Sequence, residues 1–84
     1  MKNLVTIILN YNTPEQTVAL TKQVIELGCF VVIVDNCSSD NSIFLIKEGI
    51  KHLHNCELVC SKSNGGYAKG NNMGIKFAMA KWNP

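Results

Sequence analysis

VVIVDNCSSDNS, residues 31–42, is the stretch whose reading decides the fold. An uninterrupted apolar run, Val31-Val32-Ile33-Val34, stops at an acid, Asp35, and is followed by Asn36, a cysteine, two serines and a second acid. A run this short and β-branched, apolar on both faces, is what a strand in the middle of a parallel sheet requires. Open sheets of that kind bind ligands in the crevice outside the carboxyl ends of their strands. A buried strand ending on a carboxylate therefore raises the question of what that carboxylate faces.

The same unit recurs on either side. Upstream, Leu4-Val5-Thr6-Ile7-Ile8-Leu9 reads as a second buried strand, ended by Asn10-Tyr11-Asn12. Thr13-Pro14-Glu15-Gln16 then starts a helix: threonine caps, proline suits the first helical position and Gln16 completes a capping box. Thr17, Leu20, Val24 and Leu27 fall at helical spacing, and Gly28 stops the helix. Downstream, Ile43, Ile46, Ile50 and Leu53 mark a second helical stripe. Glu57 to Cys60 is a shorter strand, followed by a glycine-rich turn and a helix from about Ala68 to Ala80 carrying Met73, Phe77 and Ala80. Strand and helix alternate three times, which predicts an α/β fold with a parallel sheet and right-handed crossovers.

Composition narrows the class. The chain has 84 residues, one small domain, with 46% apolar and 17% charged residues, a globular balance. A net charge of +2 without a lysine cluster gives no footprint for nucleic acid. Leu4–Leu9 and Cys29–Val34 are too short to span a bilayer, and Met1-Lys2-Asn3 opens no signal-peptide pattern. Cys29, Cys37, Cys56 and Cys60 form no C-x-x-C pair, and His52 and His54 have no ligand spacing with them. The thiols read as small buried groups in a reducing cytoplasm, and zinc is not expected.

The polar turns after the three strands are where chemistry is expected. Asp35 at a strand end can accept from a ligand N–H or hydroxyl; the plainer role is a turn residue or helix cap, disfavoured here because Ser38, Ser39 and Asp40 lie nearer the next helix. Tyr11 can stack on a planar base or cover the core, and Asn12 can bind a ligand or satisfy local backbone. Asn64-Gly65-Gly66-Tyr67-Ala68-Lys69-Gly70-Asn71-Asn72-Met73-Gly74 matches neither the P-loop nor the dinucleotide fingerprint. Its Gly70 and Gly74, four apart, suit close helix packing, whereas Lys69 in a first helical turn opposes the helix dipole unless it meets an anion.

Tyr11-Asn12, Val34 to Asp40 and Asn64 to Gly74, in this order, resemble the N-terminal part of the family 2 glycosyltransferases, especially their rhamnosyltransferase-like branch. The resemblance covers nearly the whole chain. It implies the N-terminal half of a GT-A, Rossmann-like fold, with residues 1–84 as the nucleotide-sugar-binding part of a larger inverting transferase. It implies a UDP- or dTDP-sugar donor and a glycan or lipid-linked acceptor. Asp35, with Asn36 beside it, would accept from the imide of uracil or thymine, a role an all-acceptor group suits. Tyr11 and Asn12 would lie near the base, and Asn64, Gly66, Lys69 and Asn72 would wall the nucleoside and diphosphate. Asp35→Ala is accordingly expected to weaken nucleotide binding and leave the domain folded.

The family's Asp-x-Asp strand, which holds Mg²⁺ or Mn²⁺, and its general base are not in this chain, whose acids are Glu15, Glu26, Asp35, Asp40, Glu48 and Glu57. The 84 residues are thus expected to be a fragment, inactive alone, with no metal ligands and with the first strand as an open edge that a second copy can pair. The resemblance further implies a cytoplasmic setting, extending to the inner face of the membrane. The rival readings are a non-catalytic nucleotide-binding or interaction module, a dinucleotide-binding or flavodoxin-like domain, and a fold whose polar turns are plain connections.

Overall fold

The computed structural model describes residues 4–36, 38–39, 41–61 and 66–82, with side chains from residue 72 onward in the last stretch. Its elements are β1 (Val5–Asn10), α1 (Pro14–Glu26), β2 (Phe30–Asp35), α2 (Ser42–Ile50), β3 (Cys56–Cys60) and α3 (Gly66–Trp82). The strands form one parallel sheet in the order β1-β2-β3. The three strand–helix repeats expected from the sequence are all present. The resulting α/β architecture is consistent with the N-terminal part of a Rossmann-like GT-A fold, the expected class. No described helix is long and apolar enough to cross a membrane.

Residue alternation along each strand divides the core into two halves. Ile8, Val31, Ile33 and Cys56 face one way, where Val18, Val24 and Ile25 of α1 and Ile46 and Ile50 of α2 cover them. Val32, Val34 and Val59 face the other way and pack against Met73, Phe77 and Ala78 of α3. Two crossovers taken in the same direction put α1 and α2 on one face. The chain then passes to the opposite face, where α3 lies against β2 and β1. At its far end Trp82 stacks on Phe30 with ring centroids 4.9 Å apart, and Lys81 reaches Glu57 of β3 at 3.1 Å. β2 is paired on both sides, and Val31 to Val34 are wholly buried. β1 pairs with β2 alone among the described residues.

The α1 stripe differs from the sequence reading. Thr17 is buried and Val24 packs on the core as read, but Leu20 and Leu27 are exposed and Thr21 is buried in their stead, so the inner face is displaced from the expected row. The cause is a polar one: this end of α1 rests on the amide of Asn10, which Thr17 serves by hydrogen bonding. α1 ends at Gly28, whose φ of +91° is a left-handed conformation open to glycine. Ala80 of α3 is also exposed, whereas Met73 and Phe77 pack as expected.

Gly74 sets the distance of α3 from the sheet. A Cβ there would stand 2.7 Å from Ile7 Cγ2 and 3.1 Å from Val34 Cγ2, both on β-branched side chains that cannot swing away. Packing accounts for this glycine. Gly74→Ala gains about 1 kcal/mol of helix propensity but overpacks the contact by about 1–3 kcal/mol. Denaturant unfolding is expected to show a net loss for Gly74→Ala and a larger one for Gly74→Val. A stabilised Gly74→Ala would contradict the contact.

Candidate functional site

Asp35 and Asn10 are opposite each other on the last rung between β2 and β1. Alternation points both side chains to the α1/α2 face, in line with Ile33 and Ile8. Both are 0% exposed. A buried carboxylate is tolerated only when its oxygens accept hydrogen bonds. Oδ1 accepts from Asn10 Nδ2 at 2.8 Å and from Ser38 Oγ at 2.7 Å, and Oδ2 accepts from the Ser38 N–H at 3.0 Å.

Asn10 is equally committed. Its Nδ2 also donates to Ser38 Oγ at 3.2 Å, and its Oδ1 accepts from Thr17 Oγ1 at 2.6 Å and Thr13 Oγ1 at 3.4 Å. These bonds use both N–H donors and both carbonyl lone pairs of the amide. The chemistry fixes the amide's orientation: a carboxylate accepts only, so Asn10 must turn its NH₂ toward Asp35 and its oxygen toward the threonines. One side chain thus joins β1, β2 and the start of α1. The backbone adds two rungs, Asn36 N–H to Asn10 O and Ser61 N–H to Asp35 O, each at 2.8 Å.

The turn after β1 is clasped by the turn after β2. Asn12 has φ +58°, the left-handed region that asparagine tolerates better than most residues. Its N–H donates to Ser38 Oγ at 3.0 Å, its Nδ2 to Ser39 Oγ at 3.3 Å, and its Oδ1 accepts from the Ser39 N–H at 3.0 Å. Tyr11 lies between the buried Asn10 and the clasped Asn12 and is 48% exposed. The clasp fixes the backbone on one side of an aromatic ring that remains open to solvent.

The structure therefore brings Tyr11, Asn12, Asp35 and Asn36 to one end of the sheet, with Asn36 nearly buried. Asn72 is exposed on α3. Asn64 lies outside the described residues, as do Asp40 and Cys37; Gly66 and Lys69 are described as helical backbone only.

Three sequence readings change. Thr13, at the N-cap position of α1, makes no side-chain cap bond and turns its hydroxyl to Asn10. Ser38 and Ser39 do not cap α2, whose N-cap position is Asn41; they serve Asp35 and Asn12. Asp35 is itself the turn residue that its neighbours had been expected to replace, and its removal would leave the buried Asn10 N–H and the Ser38 N–H without their acceptor. Asp35→Ala therefore cannot be neutral for the fold.

Asn10, Thr17 and Ser38 are the residues that sequence reasoning missed. The signal for Asn10 was a polar residue in the alternation of Ile8, but its meaning depends on the register that sets it against Asp35.

Burial, and then the charge of Glu57, pushes the Cys56 thiol up to about 11. Burial and Asp35 raise that of Cys60, with Lys47 opposing. Both thiols are neutral near pH 7, so neither is a ready nucleophile or metal ligand. Among the described residues no three histidines, cysteines or acids gather as a metal site, and Asp35 is committed to its donors. The described residues do not fit Mg²⁺ or Mn²⁺.

The model of the family described as glycosyl transferase family 2 matches residues 5–82. Over 80 residues the chain is 31% identical to the dTDP-rhamnosyl transferase RfbF of Shigella flexneri, covering 94% of this chain and 26% of that protein. The chain thus spans about a quarter of that relative's length. No solved structure gives a significant match.

Asp35→Ala is expected to lower unfolding free energy by about 2–4 kcal/mol, because it orphans buried donors, and Thr17→Val by about 1 kcal/mol. Urea titration checks both. A loss under about 1 kcal/mol for Asp35→Ala would contradict the buried network.

Proposed function

The chain belongs to glycosyltransferase family 2, and on that footing we propose that the carboxyl ends of β1 and β2 receive the nucleoside of a pyrimidine nucleotide-diphosphate sugar. The observation that carries this reading is the clasp between the two turns, which holds Tyr11 exposed at the sheet end where such folds bind ligands. A tyrosine with a fixed backbone stacks on a planar base at low entropic cost. Asn12 and Asn36 flank it, Asp35 anchors the site, and Asn64, Gly66, Lys69 and Asn72 follow along the diphosphate in this proposal. The similarity to a dTDP-rhamnosyl transferase favours a dTDP-sugar, with a UDP-sugar as the alternative.

The reaction is then transfer of the sugar with inversion to a glycan or lipid-linked acceptor, in the cytoplasm and extending to the inner face of the membrane. Transfer requires the leaving diphosphate's charge to be neutralised and the acceptor hydroxyl to lose its proton. The described residues form no metal-ion cluster for the first task. In this proposal a whole transferase supplies the Mg²⁺ or Mn²⁺ site and the general base from other residues; the present chain corresponds to about a quarter of the similar RfbF, and its 84 residues alone are inactive. The open edge of β1 takes a further strand there, or a second copy of this chain when none is present.

Competition binding tests the nucleotide class. UDP and dTDP are expected to displace a fluorescent pyrimidine nucleotide at concentrations at least about tenfold below those of NAD or ADP. Equal or stronger displacement by NAD would overturn the proposal in favour of a dinucleotide site.

A further inference from the structure

Ser38 stands where three parts of the site meet. Its hydroxyl donates to Asp35 Oδ1 at 2.7 Å and accepts from Asn10 Nδ2 at 3.2 Å and from the Asn12 N–H at 3.0 Å. A hydroxyl has one proton and two lone pairs, so this set is complete. The direction of the bonds is dictated from below: the carboxylate can only accept, so Ser38 must donate to it, which turns its lone pairs to the two N–H groups. One of those N–H groups belongs to the backbone of Asn12, at φ +58°, immediately after Tyr11. Asp35 holds the residue before Tyr11 directly, through Asn10, and the residue after it through this one oxygen.

We propose that Ser38 is a positioning residue for the nucleoside, passing the alignment of the buried Asn10–Asp35 pair to the Asn12 backbone and thereby fixing Tyr11 as the stacking surface. This rests on the pyrimidine-nucleotide reading above and changes the part Asp35 takes in it. Asp35 serves the base through Ser38 and does not read its imide edge. Its carboxylate has no exposed surface, and the donors it holds come from its own chain.

The test uses the intact native protein and two ligands, UDP and UDP methylated at N3 of the uracil, which lacks the imide N–H but keeps the ring face. Their dissociation constants are measured for the wild type, Ser38→Ala, Ser38→Thr, Tyr11→Ala and the Ser38→Ala/Tyr11→Ala pair. The expected results are a loss of less than about threefold on N3-methylation, and a loss of about tenfold or more for Ser38→Ala against both ligands alike. Ser38→Thr, which keeps the hydroxyl, restores binding. The double variant binds no worse than Tyr11→Ala alone, because the hydroxyl acts through the ring.

A cost of tenfold or more on N3-methylation of the ligand would overturn the inference and leave the pyrimidine site standing, with the imide read directly. Additive effects of Ser38→Ala and Tyr11→Ala would also overturn it, reducing Ser38 to a general support of the fold. Wild-type protein that binds UDP and dTDP no better than ADP would remove the functional reading itself, and the inference with it.

Discussion

The hydrogen bond from Asn10 to Asp35 is the constraint on which the rest of this end of the molecule depends. It buries a carboxylate completely between two parallel strands, a placement that is costly unless the oxygens are held by donors. Once Asp35 is there, its acceptor-only chemistry settles the neighbours in turn. Asn10 presents its NH₂ and so turns its oxygen to Thr17; Ser38 donates its proton and so turns its lone pairs to Asn10 and Asn12. The orientation of Asn10, the seating of the start of α1 and the clasp of both turns are all tied to one carboxylate.

The fold supplies the rung on which this pair meets, and it does so through packing. Valines and isoleucines bury β2 on both faces, α1 and α2 close one side, and α3 closes the other at a distance set by Gly74. The last rung inherits that precision. A site built on rigid strand ends holds its groups in one orientation better than one built on free loops.

Much of the architecture was legible in the sequence because its signals are local. The apolar run of β2, the proline at the start of α1, Gly28 at its end and the isoleucine stripe of α2 each declare themselves within one element. The α1 face was not legible in the same way. Periodicity selects large apolar residues, so Leu20 and Leu27 were counted in, while the buried Thr17 answers to Asn10 on β1 and the buried Thr21 to the Thr17 carbonyl of its own helix. Asp35 was found as a special residue, but its surroundings were misjudged for the same reason. Ser38 and Ser39 looked like caps for α2 by proximity, and only the pairing of Asn10 with Asp35 shows that they are needed elsewhere. Side-chain networks between elements depend on register, and register is a property of the assembled sheet.

The most direct test of this account is a crystal structure of the intact protein with UDP or dTDP bound. The account predicts the base stacked on Tyr11 at the carboxyl ends of β1 and β2, with the bonds among Asn10, Asp35 and Ser38 unbroken. A nucleotide seated elsewhere, or an Asp35 carboxylate released from Asn10 and Ser38 to hold the base, would contradict it.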